Sequence, residues 1–458
     1  MNLPTPLLDS LQRVQGFDRE AFIRVHESGH QVTTVRFNPA KITQSPQAIF
    51  DGAVQVPWSS YGFYLPERPT FTFDPLLHAG VYYVQEASGM FLEQALKQTV
   101  DLAQPLRVLD LCAAPGGKST LLQSLLSPDS VLVSNEVIKS RAAILEENLT
   151  KWGAANTIIT NNDPKDFARL EGFFDVVLID APCSGSGLFR RDPEAIAEWS
   201  EQHVALCCQR QKRILADVYP ALKEGGILIY STCSYSKEED EDVLDWIADE
   251  WPVTFLPLST EPSWHIVATA SEKHQLPGYR FFPDKLKGEG FFISCFRKES
   301  ATAARSRKDP KQTLVQKLNK HEAAIVQPWL KPHHQLQLWK LGDRILAFPA
   351  AQENALLWLI GNLYVKQAGI SVGKIAGNDL VPDHGLALST VISDQTVAIP
   401  LKKEEALQYL RKDEVTINAP HKGWTLVQYE QANLGWIKVL PNRINNYYPQ
   451  AWRIRSMS

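Results

Sequence analysis

From Arg107 onward the chain alternates short apolar runs with longer amphipathic stretches. The apolar run that ends at Asp180 is typical: it is short, rich in β-branched residues, and followed by a Gly/Pro turn and a helical stretch. Strands that are apolar along their whole length are buried on both faces, as in parallel sheets covered by helices. The pattern predicts the α/β class, with a doubly wound, Rossmann-like sheet over residues 101–299 and a late strand at 289–298.

The segments on either side of this sheet have different patterns. Residues 1–100 begin with two short helical stretches and continue into an aromatic-rich segment, and we interpret them as an N-terminal α/β extension. Residues 300–317 are small, polar and basic, which is typical of a linker. Short strand-like segments follow, from DRILAFP to GWIKVL. They predict a first C-terminal domain over 318–390 and a β-rich module over 391–458.

Composition narrows the class of protein. No apolar run approaches the roughly 20 residues that span a bilayer, and the N-terminus lacks the basic-then-apolar pattern of a signal peptide. The six cysteines form no CxxC pairs, which argues for reduced thiols and against both a disulfide framework and a metal site. We therefore expect a soluble, cytoplasmic monomer with no membrane partner.

Charge is distributed unevenly along the chain. The net charge is −4, yet residues 301–458 carry 20 Lys and Arg against 12 Asp and Glu. A basic C-terminal third on an acidic body fits an appended module that contacts phosphates, although an ordinary soluble surface has a similar composition. Much of the acidity lies in residues 237–250, which we interpret as a solvated helix face.

A glycine-rich turn, CAAPGGK at residues 112–118, follows the first strand of the predicted sheet. Strand, turn and helix in this order are the usual frame for a nucleotide. A phosphate-binding loop of an ATPase needs glycine at position 112, and Pro115 lacks the backbone N–H that such a loop uses. The pattern instead favours an adenosyl cofactor across the carboxyl ends of the strands. Gly116 and Gly117 allow close backbone approach there, and Lys118 can meet a carboxylate.

Acidic residues end the next two strands. Glu136 follows the second strand, where a carboxylate can accept both ribose hydroxyls of a nucleoside. Asp163 closes the third strand and can face an adenine amino group. The alternatives are that Glu136 caps the following helix and that Asp163 starts a turn.

Two cysteines follow successive strands of the predicted sheet. Cys183 comes just after VVLIDAP and Cys233 just after GILIYST, while Asp180 shares a turn with Cys183. A thiolate that attacks carbon 6 of cytosine makes carbon 5 electron-rich enough to take a methyl group from a sulfonium. One thiol, one carboxyl and a second thiol match that chemistry. We interpret the remaining cysteines as small buried hydrophobic residues: Cys112, Cys207, Cys208 and Cys295.

Several motifs resemble one family. CAAPGGK (112–118), DAPCSGSG (180–187) and STCS (231–234) resemble motifs of the Nop/Sun family of RNA cytosine-5 methyltransferases, and TVRFNPAK (34–41) resembles its N-terminal signature. Within the family the chain is most similar to the bacterial RsmF type. Those members act on 16S ribosomal RNA and end in a PUA-like RNA-binding domain, which the segment at 435–449 resembles.

The resemblance implies S-adenosyl-L-methionine as cofactor, RNA as partner and an RNA-binding role for the N-terminal extension and the PUA-like module. It implies Cys233 as nucleophile and Cys183 as the thiol that assists release, with Asp180 next to both base and cofactor. The cofactor-binding residues it implies are Cys112, Ala113, Ala114, Pro115, Gly116, Gly117, Lys118, Glu136, Asp163 and Asp180. Asp284 departs from the family, because many relatives have His there.

We therefore expect methyl transfer to carbon 5 of a cytosine in 16S ribosomal RNA through a covalent Cys–cytosine intermediate. A tRNA cytosine-5 methyltransferase and a non-catalytic RNA-binding ribosome assembly factor are the alternatives. Arg190 and Arg191 are candidates for phosphate contacts. Trp436, Tyr447 and Tyr448 suit either base stacking or a β-module core.

Overall fold

A small antiparallel sheet forms the N-terminal extension, in the order β2-β3-β1-β4. Its strands are β1 (Thr33–Phe37), β2 (Val54–Gln55), β3 (Gly62–Leu65) and β4 (Tyr82–Val84). Its helices are α1 (Thr5–Ser10), α2 (Arg19–Glu27), α3 (Pro46–Ile49), α4 (Pro75–His78) and α5 (Leu92–Thr99). The two short helices expected at the start of the chain are α1 and α2.

The predicted doubly wound sheet is confirmed in the computed structural model, which describes residues 3–300, 315–332, 335–414, 417, 419 and 421–456. Its parallel strands are β5 (Arg107–Asp110), β6 (Val131–Asn135), β7 (Thr157–Thr160), β8 (Phe174–Asp180) and β9 (Leu222–Thr232). Antiparallel strands follow: β10 (Val253–Leu256), β11 (Val267–Ala270), β12 (Pro277–Phe281) and β13 (Phe291–Lys298). The helices are α6 (Gly117–Leu125), α7 (Lys139–Trp152), α8 (Ala195–Glu198), α9 (Glu201–Val218) and α10 (Glu241–Glu250).

The parallel strands lie in the order β9-β8-β5-β6-β7. The chain first builds the sheet outward from β5 through β6 to β7, and then returns to the other side of β5 with β8 and β9, so the switch point lies between β5 and β8. In open α/β sheets a ligand binds at this switch point, outside the carboxyl ends of the strands. Along β8 the side chains alternate between two apolar clusters. Val177 and Ile179 belong to one, and Val176 and Leu178 belong to the other. The strand is therefore buried on both faces, as its continuous apolar pattern predicted.

Two further sheets follow in the C-terminal part. The first has the order β14-β15-β16-β18-β19 and the second the order β20-β21-β22-β23. The strands are β14 (Val315–Lys317), β15 (Leu336–Leu341), β16 (Arg344–Pro349), β17 (Val365–Ala368), β18 (Ile370–Ala376), β19 (Asp379–Pro382), β20 (Ala398–Pro400), β21 (Gly423–Tyr429), β22 (Ala432–Leu440) and β23 (Arg443–Asn446). The helices are α11 (Lys320–Val326), α12 (Glu353–Asn362), α13 (His384–Leu388) and α14 (Lys403–Arg411).

The C-terminal part is tied into the rest of the molecule at two places. Strand β17 does not join the sheet formed by β16 and β18, which flank it in the chain. It pairs instead with β7 at the edge of the central sheet, with Val365 opposite Thr160. Near the chain's end, Tyr409 and Val427 share one apolar cluster with Val35 and Phe37 of the N-terminal extension. The expected β-rich C-terminal module is present, and it packs against the N-terminal extension.

The expected linker at 300–317 lies mostly outside the described residues. Its last three residues form β14, which pairs with β15 and so belongs to the following sheet. Within the described ranges, no helix is long and apolar enough to cross a membrane. In the same ranges, no group of three or more His, Cys, Asp or Glu side chains could hold a metal ion.

The interpretation of residues 237–250 as a solvated face is wrong for the acidic run at its start. Glu239, Asp240 and Glu241 are all buried. Arg280 of β12 lies between two of them, with Nη2 3.0 Å from Asp240 and Nε donating to Glu241 at 2.7 Å. Buried charge needs a partner and hydrogen bonds, and these residues supply both. The partner comes from a distant strand, so the local sequence gave no sign of it.

Candidate active site

A cavity of about 330 Å³ opens at the switch point of the central sheet. Eight of the predicted site residues line it: Cys112, Ala113, Ala114, Pro115, Gly117, Lys118, Asp180 and Cys233. Residues 83–86, which comprise the end of β4 in the N-terminal extension and the two residues after it, form part of its wall. The sequence did not indicate this contribution, because nothing local to β4 shows which edge of the central sheet it will face.

The loop at 112–118 leads directly into a helix whose N-terminus adjoins the cavity. Gly116 has φ of 116°, in the region that favours glycine, and α6 begins at Gly117. Arg141 donates to the carbonyl of Ala114 at 2.8 Å, and Asn148 donates to that of Pro115 at 2.8 Å. These contacts from α7 fix the loop while the first amides of α6 remain suited to an anionic or polar ligand group.

Asn135 is a site-supporting residue that sequence reasoning missed. Its side-chain amide donates to the carbonyls of Leu111 at 3.2 Å and Asn162 at 3.0 Å. Its side-chain oxygen accepts from Thr160 at 2.9 Å. One buried side chain therefore joins the ends of β5, β6 and β7, three of the four strands whose ends carry the proposed cofactor residues.

Lys118 forms an ion pair inside the cavity. Its Nζ lies 2.7 Å from Oδ2 of Asp180, and Ser231 donates to the other carboxylate oxygen at 2.8 Å. Burial acts to lower the pKa of Lys118, but the adjacent Asp180 carboxylate outweighs it and the pKa is raised. Lys118 is thus a charged ammonium group, and it also lies 5.2 Å from the centre of the Phe291 ring.

The two cysteines meet as the parallel strands predicted. Sγ of Cys183 lies 3.1 Å from Sγ of Cys233, and both are free thiols. The hydrogen bond to Cys233, followed by burial, raises the pKa of Cys183 well above its usual value. Cys183 therefore keeps its proton. Cys233 lines the cavity and Cys183 does not, so the two thiols have different access to a bound substrate.

Close backbone packing surrounds Cys233. Its carbonyl accepts from the N–H of Gly187 at 2.8 Å, and the carbonyl of Gly187 accepts from Gly290 at 3.0 Å. A Cβ at Gly187 would lie 2.6 Å from the Gly290 oxygen, so only glycine allows these loops to approach. The motifs at 180–187 and 231–234 thus meet at one point with Gly290, the residue before β13.

Glu136 and Asp163 both make the local hydrogen bonds of their alternative roles, a helix cap for Glu136 and a turn for Asp163. Oε1 of Glu136 accepts from the N–H of Ile138 at 2.9 Å, and the side chain of Asp163 accepts from Lys165 at 3.2 Å. Among the residues that the structure describes, Oε2 of Glu136 pairs only with Arg141, at 3.6 Å, which leaves it acceptor capacity. Neither residue lines the cavity, and their roles toward a cofactor stay predictions.

The candidate RNA contacts need one correction, at Arg190, and the structure decides between the two alternatives for Trp436 and Tyr448. Arg190 is buried, with Nε 3.7 Å from Glu289, so it is not an exposed phosphate contact, whereas Arg191 is exposed and lines the cavity. Trp436 and Tyr448 are each 1% exposed and belong to the core of the last module.

Tyr447 remains available for stacking, because it is 43% exposed. It packs edge-on against Trp424, over whose ring Lys438 lies at 5.0 Å.

The remaining cysteines lie outside the thiol pair. Cys207 and Cys295 are buried as expected, whereas Cys112 and Cys208 are partly exposed. Asp284, the departure from the family pattern, lies 3.5 Å from Lys285.

The fold, with a glycine-rich loop at its switch point, is that of a Rossmann-like methyltransferase. A methyltransferase homolog protein from Pyrococcus horikoshii is 30% identical, with a TM-score of 0.52 over 65% of this chain and 100% of that one. NSun6 from the same organism shares the fold, with 18% identity and a TM-score of 0.53 over 65% of this chain and 98% of its own.

Three family models match successive parts of the chain. Residues 3–87 match the N-terminal domain of 16S rRNA methyltransferase RsmF, residues 97–297 match 16S rRNA methyltransferase RsmB/F, and residues 396–454 match the methyltransferase RsmF PUA domain. Ribosomal RNA small subunit methyltransferase F of Salmonella arizonae is 32% identical over 86% of this chain and 84% of its own. The protein of that name from Pectobacterium atrosepticum is 29% identical over 98% and 95%. The chain belongs to the ribosomal RNA small subunit methyltransferase F family.

Proposed function

We propose that this protein transfers a methyl group from S-adenosyl-L-methionine to carbon 5 of a cytosine in 16S ribosomal RNA. The transfer proceeds through a covalent bond between Cys233 and carbon 6 of the base. The observation that carries the proposal is the thiol pair, with 3.1 Å between Cys183 and Cys233, beside the Lys118–Asp180 ion pair at the switch point. The names of the relatives support ribosomal RNA as the substrate class.

The residues around the cavity fit an adenosyl cofactor. The helix N-terminus at Gly117 supplies free amides, and Oε2 of Glu136 retains acceptor capacity for a ribose hydroxyl. Residues 112–118, Glu136, Asp163 and Asp180 would hold the cofactor, whose sulfonium supplies the methyl group. No phosphate-binding ring of amides is needed for such a ligand.

Each polar group of the site has a distinct task in this reaction. Cys233 faces the cavity and makes the bond to carbon 6. The Lys118–Asp180 pair places a proton donor and a carboxylate where charge develops on the ring. Release breaks the bond between carbon 6 and the Cys233 sulfur and removes the proton from carbon 5. Cys183, whose sulfur lies 3.1 Å from that of Cys233, gives its own proton to the departing sulfur and takes up the carbon 5 proton in its place.

Two grooves for RNA lie on the face between the N-terminal extension and the catalytic sheet. A groove of about 690 Å³ runs there past Trp58, Trp264 and Lys285, and an adjoining groove of about 620 Å³ includes Arg68. Lysine and arginine beside aromatic rings suit unpaired RNA. We propose that residues 1–100 and the PUA-like module at 391–458 bind the RNA that flanks the target base.

The test separates the two cysteines. Cys233→Ala should bind RNA but transfer no methyl group and form no adduct. Cys183→Ala should attack and methylate but release slowly, so that protein joined to RNA accumulates on denaturing gels. Cys295→Ala is the matched control, because this thiol is buried in β13 away from the cavity. An adduct trapped by Cys233→Ala and abolished by Cys183→Ala would overturn the assignment.

The same assay identifies the class of RNA that is methylated. The Cys183→Ala adduct should form with 16S ribosomal RNA or small ribosomal subunits and not with tRNA. Adduct on tRNA alone would favour the tRNA alternative. Absence of methyl transfer by the unaltered protein on every RNA would favour the non-catalytic assembly factor.

A further inference from the structure

Glu239 is a buried carboxylate directly behind the thiol pair. It is 0% exposed, although it lies in the acidic run 237–250. Ser184 donates to it twice, from the backbone N–H at 2.9 Å and from Oγ at 2.5 Å. Ser234 Oγ donates at 2.6 Å, and Gln211 Nε2 donates at 3.1 Å. Four donors thus converge on two carboxylate oxygens.

The two serines are the immediate neighbours of the two cysteines. Ser184 follows Cys183 on the loop after β8, and Ser234 follows Cys233 on the loop after β9. Oε2 of Glu239 accepts from both hydroxyls, so a single oxygen atom joins the two loops. We name this arrangement of Ser184, Glu239 and Ser234 the Glu239 bridge.

Glu239 is itself held in place. Its backbone carbonyl accepts from the hydroxyl of Tyr230, a fully buried residue of β9, at 2.6 Å. The next residue, Asp240, accepts from the hydroxyl of Thr232 at 2.6 Å. Both neighbours of Cys233 in the chain, Thr232 and Ser234, are therefore anchored to adjacent buried acids. Hydrogen bonds thus hold the chain on both sides of the nucleophile.

We propose that Glu239 is a positioning residue that sets the distance between the Cys183 and Cys233 sulfurs. Its catalytic consequence rests on the proposed function: the bridge keeps Cys183 within reach of the Cys233 sulfur for the release step. Other contacts also join the two loops, among them the hydrogen bond from Tyr235 N–H to Ser186 Oγ at 2.9 Å. Glu239 is the group that accepts from the residues next to both cysteines, so its loss removes the shared anchor at the thiol pair. Release is then impaired more than the initial attack, because attack needs Cys233 alone.

A carboxylate suits this position better than other side chains of its size. Its two oxygens can accept about four hydrogen bonds in total, which matches the four donors. Glutamine keeps one accepting oxygen and can turn its amide toward serine hydroxyls, which can rotate to accept. Leucine has a similar size and accepts nothing, so it leaves buried donors unpaired.

Thiol chemistry tests the bridge without RNA or cofactor. Diamide takes one hydrogen from each thiol and leaves a disulfide, at a rate that reports how well the two sulfurs are positioned. We expect Glu239→Leu to slow Cys183–Cys233 disulfide formation by about tenfold or more, since misplacement of reacting groups by about 1 Å can slow a reaction by about 100-fold. Glu239→Gln should restore most of the rate.

Ile247→Val is the matched control for loss of stability. Its apolar side chain is fully buried on α10, just after the bridge in the chain, and takes no part in the hydrogen bonds of the bridge. This variant should oxidise like the unaltered protein. If Glu239→Leu does not fold, Ser184→Ala with Ser234→Ala removes both hydroxyls while retaining the carboxylate, and should slow oxidation in the same direction. Unchanged oxidation in the folded variant would overturn the proposal.

A second arm measures release with 16S ribosomal RNA and S-adenosyl-L-methionine. Glu239→Leu should methylate and accumulate gel-stable adduct, as Cys183→Ala does, while Ile247→Val should not. Slowed oxidation without adduct accumulation would retain the bridge and contradict the proposed role of Cys183. Normal oxidation with accumulated adduct would retain the proposed function and contradict the bridge.

Discussion

Replacement of Glu136 by Gln tests the proposed cofactor site with little disturbance to the fold. The carboxylate is buried, with Oε1 accepting from Ile138 N–H at 2.9 Å and Oε2 3.6 Å from Arg141. In Glu136→Gln the amide oxygen can still accept from Ile138, so the start of α7 keeps its cap. The amide nitrogen takes the place of Oε2 and cannot accept from a ribose hydroxyl.

The expected loss follows from the charge on that hydrogen bond. Hydrogen bonds to charged groups contribute about 1.5–3 kcal/mol, so the Kd for S-adenosyl-L-methionine should rise about 10- to 150-fold. Isothermal titration calorimetry with the RNA-free protein measures this directly. Glu146→Gln is the matched control, because it removes the same charge from α7 where Glu146 pairs with Lys366 at 3.0 Å. An unchanged Kd in Glu136→Gln, or an equal loss in the control, would remove Glu136 from the site.

Two further predictions concern stability. Burial lowers the pKa of His384 to about 3, so the unfolded chain takes up the proton first, near pH 6.5, and the free energy of unfolding falls as pH decreases from 6.5 toward 3. At pH 5 this costs about 2 kcal/mol, and urea unfolding at pH 7.5 and pH 5 should show a smaller loss for His384→Phe; equal losses would contradict it. Deletion of residues 396–454 should lower the melting temperature of the remaining protein, because it uncovers the apolar cluster shared by Val427 and Val35. An unchanged melting temperature would show that the two modules fold independently.

The placement of the two cysteines was predictable from the chain alone. Cys183 and Cys233 each follow an apolar run, and parallel strands end at the same edge of a sheet. That topological rule requires no knowledge of side-chain packing. The glycine-rich loop at 112–118 was placed for the same reason. The partner of Lys118 was only partly predictable. We expected this side chain to meet a carboxylate, and in the structure that carboxylate belongs to Asp180.

Residues whose role depends on a distant partner were not predictable. Glu239 resembles a solvated helix residue in sequence, and it is buried because Ser184, from a loop after another strand, supplies its donors. Arg190 resembles a surface cation and is buried beside Glu289, about a hundred residues further along the chain. The local sequence pattern predicts whether a segment forms a helix or a strand. Whether a charged side chain in it is buried depends on the partner that the folded chain places beside that side chain.

Strand β17 has a consequence for how the chain can fold during synthesis. It covers the edge of the catalytic sheet by pairing Val365 with Thr160. The ribosome therefore completes β7 and then adds about 200 residues before the partner strand exists, which takes roughly 10–40 s at 5–20 residues per second. Throughout that interval β7 presents unpaired N–H and C=O groups, the arrangement that templates aggregation. The nascent chain can therefore aggregate through this edge, whereas in the finished protein the edge is covered. We expect the need for chaperones at this edge to end once β17 is made.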